Sequence, residues 1–179
     1  MQFWKRKPSS KEVLAVNLYA AVTQQSRQLI FFQNYQVPDT PSGRFEVLAL
    51  HLALLLRRLK FPLPDDPKNS QSITQDLCNF VVADVEESLR AMRISDLKIN
   101  SHIKSFVEGF YGRLVAYDKA LALGDQDVLA QAIRRNVYGI CEKIDEDIAQ
   151  ELATYMQQTW GRLVETQLPQ IISVLKEEL

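Results

Sequence analysis

A surplus of charge of either sign is missing from this chain. Lys and Arg number 21 and Asp and Glu 22, for a net charge of −1. Nucleic-acid binding needs a basic stripe, so DNA is not expected as a partner. Cysteine is scarce: Cys78 and Cys141 lie far apart, outside any Cys-x-x-Cys pair, which leaves no disulfide framework and no zinc motif. Both read as small apolar side chains in a reducing compartment. Histidine is equally sparse. His51 and His102 do not form His-Glu-x-x-His, and Leu48 and Ile99 occupy the positions where a di-iron bundle places glutamate. No Gly-x-Gly-x-x-Gly or P-loop occurs, and no Ser or Cys stands beside a local base. No cofactor, metal or catalytic residue is therefore expected, and the chain reads as a binding module rather than an enzyme. The longest apolar run, Val47 to Leu56, is too short for a bilayer, which takes about 20 residues.

What is present is helical periodicity. No segment alternates with period two, and no repeat or low-complexity tract occurs, so the expected fold is all-α: a single compact bundle of about seven helices around a central apolar helix. Hydrophobic residues at 46% supply the core. Residues 1–8 read as a flexible basic and aromatic N-terminus, 9–168 as the helical domain, and 169–179 as a tail after Pro169. The apolar Val13–Val22 segment follows Lys5-Arg6-Lys7, as in a signal peptide, but Ser9 and Glu12 form a capping box that favours a folded first helix. A second short helix is expected over Gln24 to Tyr35. Thr40 can cap a helix from Pro41 to about Lys60, whose Phe45, Leu48, Leu52, Leu55, Leu56 and Leu59, widened by Leu50 and Leu54, wrap most of its circumference. Ser72 and Gln75 read as the capping box of the next helix, and Ile94 to Ile99 as an extended connection. The longest helix then starts at Asn100 or Ser101, with Gly109 and Gly112 allowing a close helix crossing. Gly124 and Asp125 make a tight corner: a left-handed stop followed by an N-cap. A final long helix is expected from about Glu142 to Leu163.

Several polar residues interrupt this pattern. Arg44, Glu46, His51, Arg57 and Arg58 lie on the central helix. Its terminal charges are expected to reach water, and His51 to be a hydrogen-bonded structural histidine. Asp84 shares a face with Leu77, Phe80 and Val81, where a carboxylate is costly unless paired, with Arg113 or Arg135 as expected partners. Tyr117, Asp118, Arg135 and Asn136 gather around the Gly124 corner. Either a buried Asp118–Arg135 lock or a surface that reads a partner accounts for them. Phe3 and Trp4 beside Lys5-Arg6-Lys7 form a tip suited to weak contact with an anionic membrane surface.

The segments Val37-Pro38-Asp39-Thr40, Gly43-Arg44-Phe45-Glu46, Leu50-His51-Leu52 and Leu56-Arg57-Arg58-Leu59 resemble the opening of the ubiquinol–cytochrome c reductase chaperone family. Phe110-Tyr111-Gly112-Arg113, Ala116-Tyr117-Asp118, Leu129-Ala130 and Arg135-Asn136 are similar to its later hallmarks. Mitochondrial relatives often carry Trp before the Arg-Asn pair, where this chain has Arg134. The resemblance implies an assembly factor for the respiratory cytochrome bc complex, with cytochrome b or another subunit of that complex as client. Mitochondrial members also associate with the translating ribosome. With about nine residues ahead of the first helix, a bacterial cytoplasmic protein is expected, peripheral at the inner face of the membrane. The client groove is expected between the central helix and the Ile103–Leu121 helix. Arg44, His51, Arg57, Asp84, Tyr117, Asp118, Arg135 and Asn136 are the candidate partner-binding residues. The competing expectation is a carrier or sensor of a small apolar ligand, a quinone or lipid, in an enclosed pocket.

Overall fold

The computed structural model describes residues 9–60, 67–139, 141, 145, 147–167 and 170–176. Among them every regular element is helical: α1 Ser10–Ser26, α2 Ile30–Gln33, α3 Pro41–Lys60, α4 Pro67–Ala91, α5 Asp96–Leu123, α6 Gln126–Val137, α7 Ile148–Glu165 and α8 Ile171–Lys176. The expected all-α bundle is what the structure shows, with α2 a single turn.

Local chemistry sets several boundaries. Ser9 Oγ accepts from the Glu12 amide at 3.2 Å, and Glu12 accepts from the Ser9 amide at 2.6 Å, completing the capping box of α1. Thr40 Oγ1 accepts from the Gly43 amide at 3.1 Å and caps α3 ahead of Pro41. Gly124 is left-handed at φ 66°, and Asp125 Oδ1 accepts from the amides of Asp127 and Val128 at 3.0 and 3.1 Å. The corner between α5 and α6 is built as its sequence implies.

Other boundaries differ from expectation. α1 continues to Ser26, which leaves one helical turn where a second helix was expected. Pro67 opens α4 in its first turn, where the missing N–H is harmless, so Ser72 and Gln75 lie inside the helix and form no capping box. α5 begins at Asp96, because left-handed Arg93 (φ 59°) turns the chain early and extended Ser95 supplies the N-cap backbone. α7 begins at Ile148, later than expected; Ile144 and the first residues of the expected helix lie outside the described residues. Among the described residues no helix crosses at Gly109 or Gly112. A Cβ at Gly112 would meet nothing among the described residues, and one at Gly109 would meet only the Arg113 guanidinium. α8 falls within the stretch read as a tail, yet its Ile171 and Leu175 are buried.

α3 is the axle. Every residue from Ala49 to Leu59 is buried, and the helix packs against α1, α4, α5, α6 and α7. Of its terminal charges, Arg44 and Lys60 reach water as expected, but Glu46, Arg57 and Arg58 are buried and find protein partners instead. Arg58 Nε donates to the Leu163 carbonyl at 2.9 Å and Nη2 to the Thr166 carbonyl at 2.8 Å. These carbonyls close α7, whose last acceptors have no partner within the helix. A cation there also meets the negative end of the helix dipole. Desolvation lowers the Arg58 pKa.

His51 is fully buried at the middle of α3. Its Nδ1 lies 2.8 Å from the Val47 carbonyl oxygen, and its Nε2 lies 2.7 Å from the Tyr155 hydroxyl. A carbonyl can only accept, so Nδ1 carries the proton and Nε2 accepts from Tyr155. Both nitrogens are satisfied in the neutral ring, and Phe31 packs edge-on at 5.1 Å. Burial pulls the His51 pKa down to about 4, against a weaker opposing pull from the Val47 carbonyl.

Because unfolded histidine titrates near 6.5, the unfolded chain binds the extra proton between about pH 6.5 and 4, and stability falls with pH across that window. The loss amounts to about 3 kcal/mol. Urea unfolding followed by circular dichroism is expected to show this fall in the wild type. His51→Gln should be less stable at pH 7 but nearly flat over the same window. Two glycines give a second test. A Cβ at Gly43 would overlap the Pro38 carbonyl, whereas Gly112 faces open space. Gly43→Ala should lose about 2 kcal/mol or more, and Gly112→Ala should gain about 1 kcal/mol, in the same assay.

Candidate functional site

The polar residues singled out in the sequence do not form one rim. His51 lies in the interior. Arg57 and Asp118 join α3 to α5: Arg57 Nη1 donates to Asp118 Oδ1 at 2.6 Å and to its carbonyl at 3.1 Å, and Lys60 Nζ reaches Asp118 Oδ2 at 2.8 Å. The Arg57 guanidinium also stacks 4.6 Å from the Trp160 ring centroid on α7. The Asp118 lock therefore exists, but its partners come from α3 and not from Arg135. Arg135 is exposed, with no hydrogen bond or ion pair among the described residues. Tyr117 is fully buried, its hydroxyl beside the Asn136 amide, and burial raises its pKa.

Arg113, expected to pair with Asp84, instead grips Glu46. Its Nε and Nη2 lie 2.7 and 2.6 Å from the two carboxylate oxygens, which fixes α5 to the start of α3. Asp84 meets an unforeseen partner: the Tyr19 hydroxyl of α1 donates to its Oδ2 at 2.6 Å. Burial, and then this bond, raise the Tyr19 pKa. Arg44 is exposed, paired with Asp39 at 2.6 Å and set 6.0 Å from the Phe32 ring.

Tyr19 and Asp84 sit in the feature that sequence reasoning missed, a groove along the seam of α1 and α4. Its upper bay has a volume of about 640 Å³ and is lined by Val16, Tyr19 and Ala20 of α1 with Phe80 and Ala83 of α4. The lower bay, about 660 Å³, takes Phe45 and Leu48 from α3, Val85 and Leu89 from α4, then Met92 and Phe106. Thr23, Arg27 and Asp84 line both bays and so form the waist between them. The walls are mostly apolar carbon, and large side chains stay in water, with Val16 52% and Met92 63% exposed. Both belong to the apolar stripes that helical periodicity sets out along α1 and α4. The missed signal was the excess width of those stripes: core packing uses Ala15, Leu18, Ala21 and Val22 of α1, and leaves Val13 and Val16 over. Of the groove expected between α3 and α5, only Phe45, Leu48 and Phe106 take part. Tyr117, Asp118, Arg135 and Asn136 lie elsewhere.

Comparison with known proteins is decisive at the level of family. The family model described as ubiquinol-cytochrome C chaperone matches residues 33–174. The chain belongs to this family. A ubiquinol-cytochrome-c reductase complex assembly factor 1 from Xenopus laevis is 25% identical over 134 residues, covering 75% of this chain and 62% of that protein. Its Drosophila melanogaster counterpart is 26% identical over 157 residues, covering 84% and 59%. The chain thus spans about three-fifths of the length of these relatives. Among solved structures, the Cbp3 homolog from Brucella abortus superposes with a TM-score of 0.78 at 32% identity, covering 92% of this chain and 87% of that one.

In this chaperone-family chain the Asp118 lock carries a measurable charge effect. Burial pushes the Asp118 carboxyl up, but the hydrogen bonds and charges of Lys60 and Arg57 together hold it below the usual carboxylate range. Such a group stabilises the fold above the unfolded value near 4, and that contribution is lost as pH falls through the lower folded value. Asp118→Asn should therefore unfold at lower urea than the wild type at pH 7. The gap should narrow as pH drops below about 4, read by the same circular dichroism titration.

Proposed function

We propose that this protein is a non-catalytic assembly chaperone for the cytochrome bc complex, and that its α1/α4 groove holds an apolar segment of a membrane-protein client such as cytochrome b. The carrying observation is the groove itself. It is long and open, with apolar walls that keep Val16 and Met92 in water. From Phe80 to Met92, at about 1.5 Å per helical residue, it runs roughly 18 Å, three turns of a client helix. An exposed apolar strip of this kind suits helix-in-groove recognition. Family membership and the complex assembled by the named relatives support complex III as the setting.

A carrier of quinone or lipid fits less well, because both bays lie open along a seam rather than enclosing a ligand. No helix among the described residues is long and apolar enough to cross a membrane. Attachment to the cytoplasmic face of a bacterial membrane would then depend on the client and on Phe3, Trp4 and Lys5 to Lys7, which lie outside the described residues. Contact with the ribosome belongs to the same proposal.

A photo-crosslinking residue at Val16 or Met92 of the tagged protein tests the reading. Cells making the complex should yield an adduct that peptide mass spectrometry identifies as cytochrome b, and a probe at exposed Tyr111 on α5 should not. Absence of every complex subunit from both the adducts and the pull-down would overturn it.

A further inference from the structure

The waist of the groove is not apolar, and that limits what can lie across it. Asp84 spends Oδ2 on Tyr19, while its Oδ1 has no hydrogen-bond partner among the described residues. The Arg27 guanidinium, from the opposite wall, makes neither a hydrogen bond nor an ion pair among the described residues. Opposite charges line the same two bays, yet they do not close on each other. The Thr23 hydroxyl lies against Tyr19, its oxygen sealed from solvent.

We infer that Asp84 and Arg27 select client segments that carry one neutral hydrogen-bonding residue, an amide or imidazole side chain, midway along an otherwise apolar helix. This rests on the groove reading above. The two charges sum to zero, so a residue offering a donor to Asp84 Oδ1 and an acceptor to Arg27 satisfies both. A lysine would gain Asp84 and repel Arg27, and a glutamate would do the reverse. A leucine would strip water from both charges and return no hydrogen bond, which costs more than its apolar contact at the waist supplies. The bays on either side then take the apolar turns before and after that residue. Tyr19 fixes the Asp84 carboxylate, so the acceptor is already aimed when the client arrives.

The test uses the full chain with fluorescein-labelled Leu/Ala helical peptides in nonionic detergent, identical except for a central Gln, Leu, Lys or Glu, with binding read by fluorescence anisotropy. Wild-type protein should bind the Gln peptide about tenfold more tightly than the other three. Arg27→Met combined with Asp84→Leu, two substitutions at exposed positions, should invert the order and prefer Leu. Asp84→Asn alone, which keeps the acceptor, should retain the preference for Gln over Leu and lose the penalty on Glu. If Leu, Lys or Glu equals or beats Gln on the wild type, or if the double variant keeps the Gln preference, the waist is not a selector. Equal binding of all four peptides sinks this inference and leaves the groove standing. Binding of none overturns the groove reading and the inference with it.

Discussion

Everything in this bundle follows from burying α3 on all sides while its sequence carries charge. A helix sealed from Ala49 to Leu59 has no water for Arg57 and Arg58, and Glu46 one turn earlier is sealed as well. Each charge must then be answered by another helix. Asp118 on α5 answers Arg57, the closing carbonyls of α7 answer Arg58, and Arg113 on α5 answers Glu46. The three contacts fix α5 at both ends of α3 and dock α7 by its C-terminus. Hydrophobic contact alone is non-directional and would tolerate sliding of these helices. The charges remove that freedom, because any slip leaves a buried ion without its partner.

His51 completes the same logic at mid-helix. It joins α3 to α7 through the Tyr155 hydroxyl, which donates to the neutral ring. Polar residues on the axle thus act as register pins. This is the bland account of several residues that the sequence offered as partner contacts, and it is sufficient for His51, Arg57 and Asp118. Arg135 is different in kind: it is exposed and makes no hydrogen bond or ion pair among the described residues, so nothing there ties it to the register.

How far the sequence could be read follows the range of each interaction. Caps at Ser9, Thr40 and Asp125 depend on neighbours within three residues, and each sits where the residues imply. The centrality of α3 was also legible, since an apolar surface around most of a helix has nowhere else to go. Pairings were not legible. Asp84 and Tyr19 are separated by 65 positions and Arg113 and Glu46 by 67, and nothing local distinguishes these partners from Arg135. The α5 start was missed because Ile94 to Ile99 reads as an extended connection, when extended Ser95 and left-handed Arg93 make Asp96 a first-turn helix residue. The groove was missed for a related reason. An apolar stripe tells how much of a helix avoids water in principle, and not how much its neighbours cover.

That uncovered remainder raises a problem of its own, since an open apolar seam invites two copies of the chain to stick together. The waist bears on this directly. Two apolar bays of similar volume are interrupted by Arg27 and Asp84, so no continuous dry strip runs the length of the groove. A second copy laying its own α1/α4 seam across this one would have to desolvate these charges, with Tyr19 already holding one carboxylate oxygen. A flat apolar surface has a low cost of mistaken contact, whereas a charged interruption raises that cost for every occupant without matching polarity. In the proposed reading the groove stays open in water and still holds an apolar segment, because a client with a matching group at that depth satisfies the polar waist that discourages self-association.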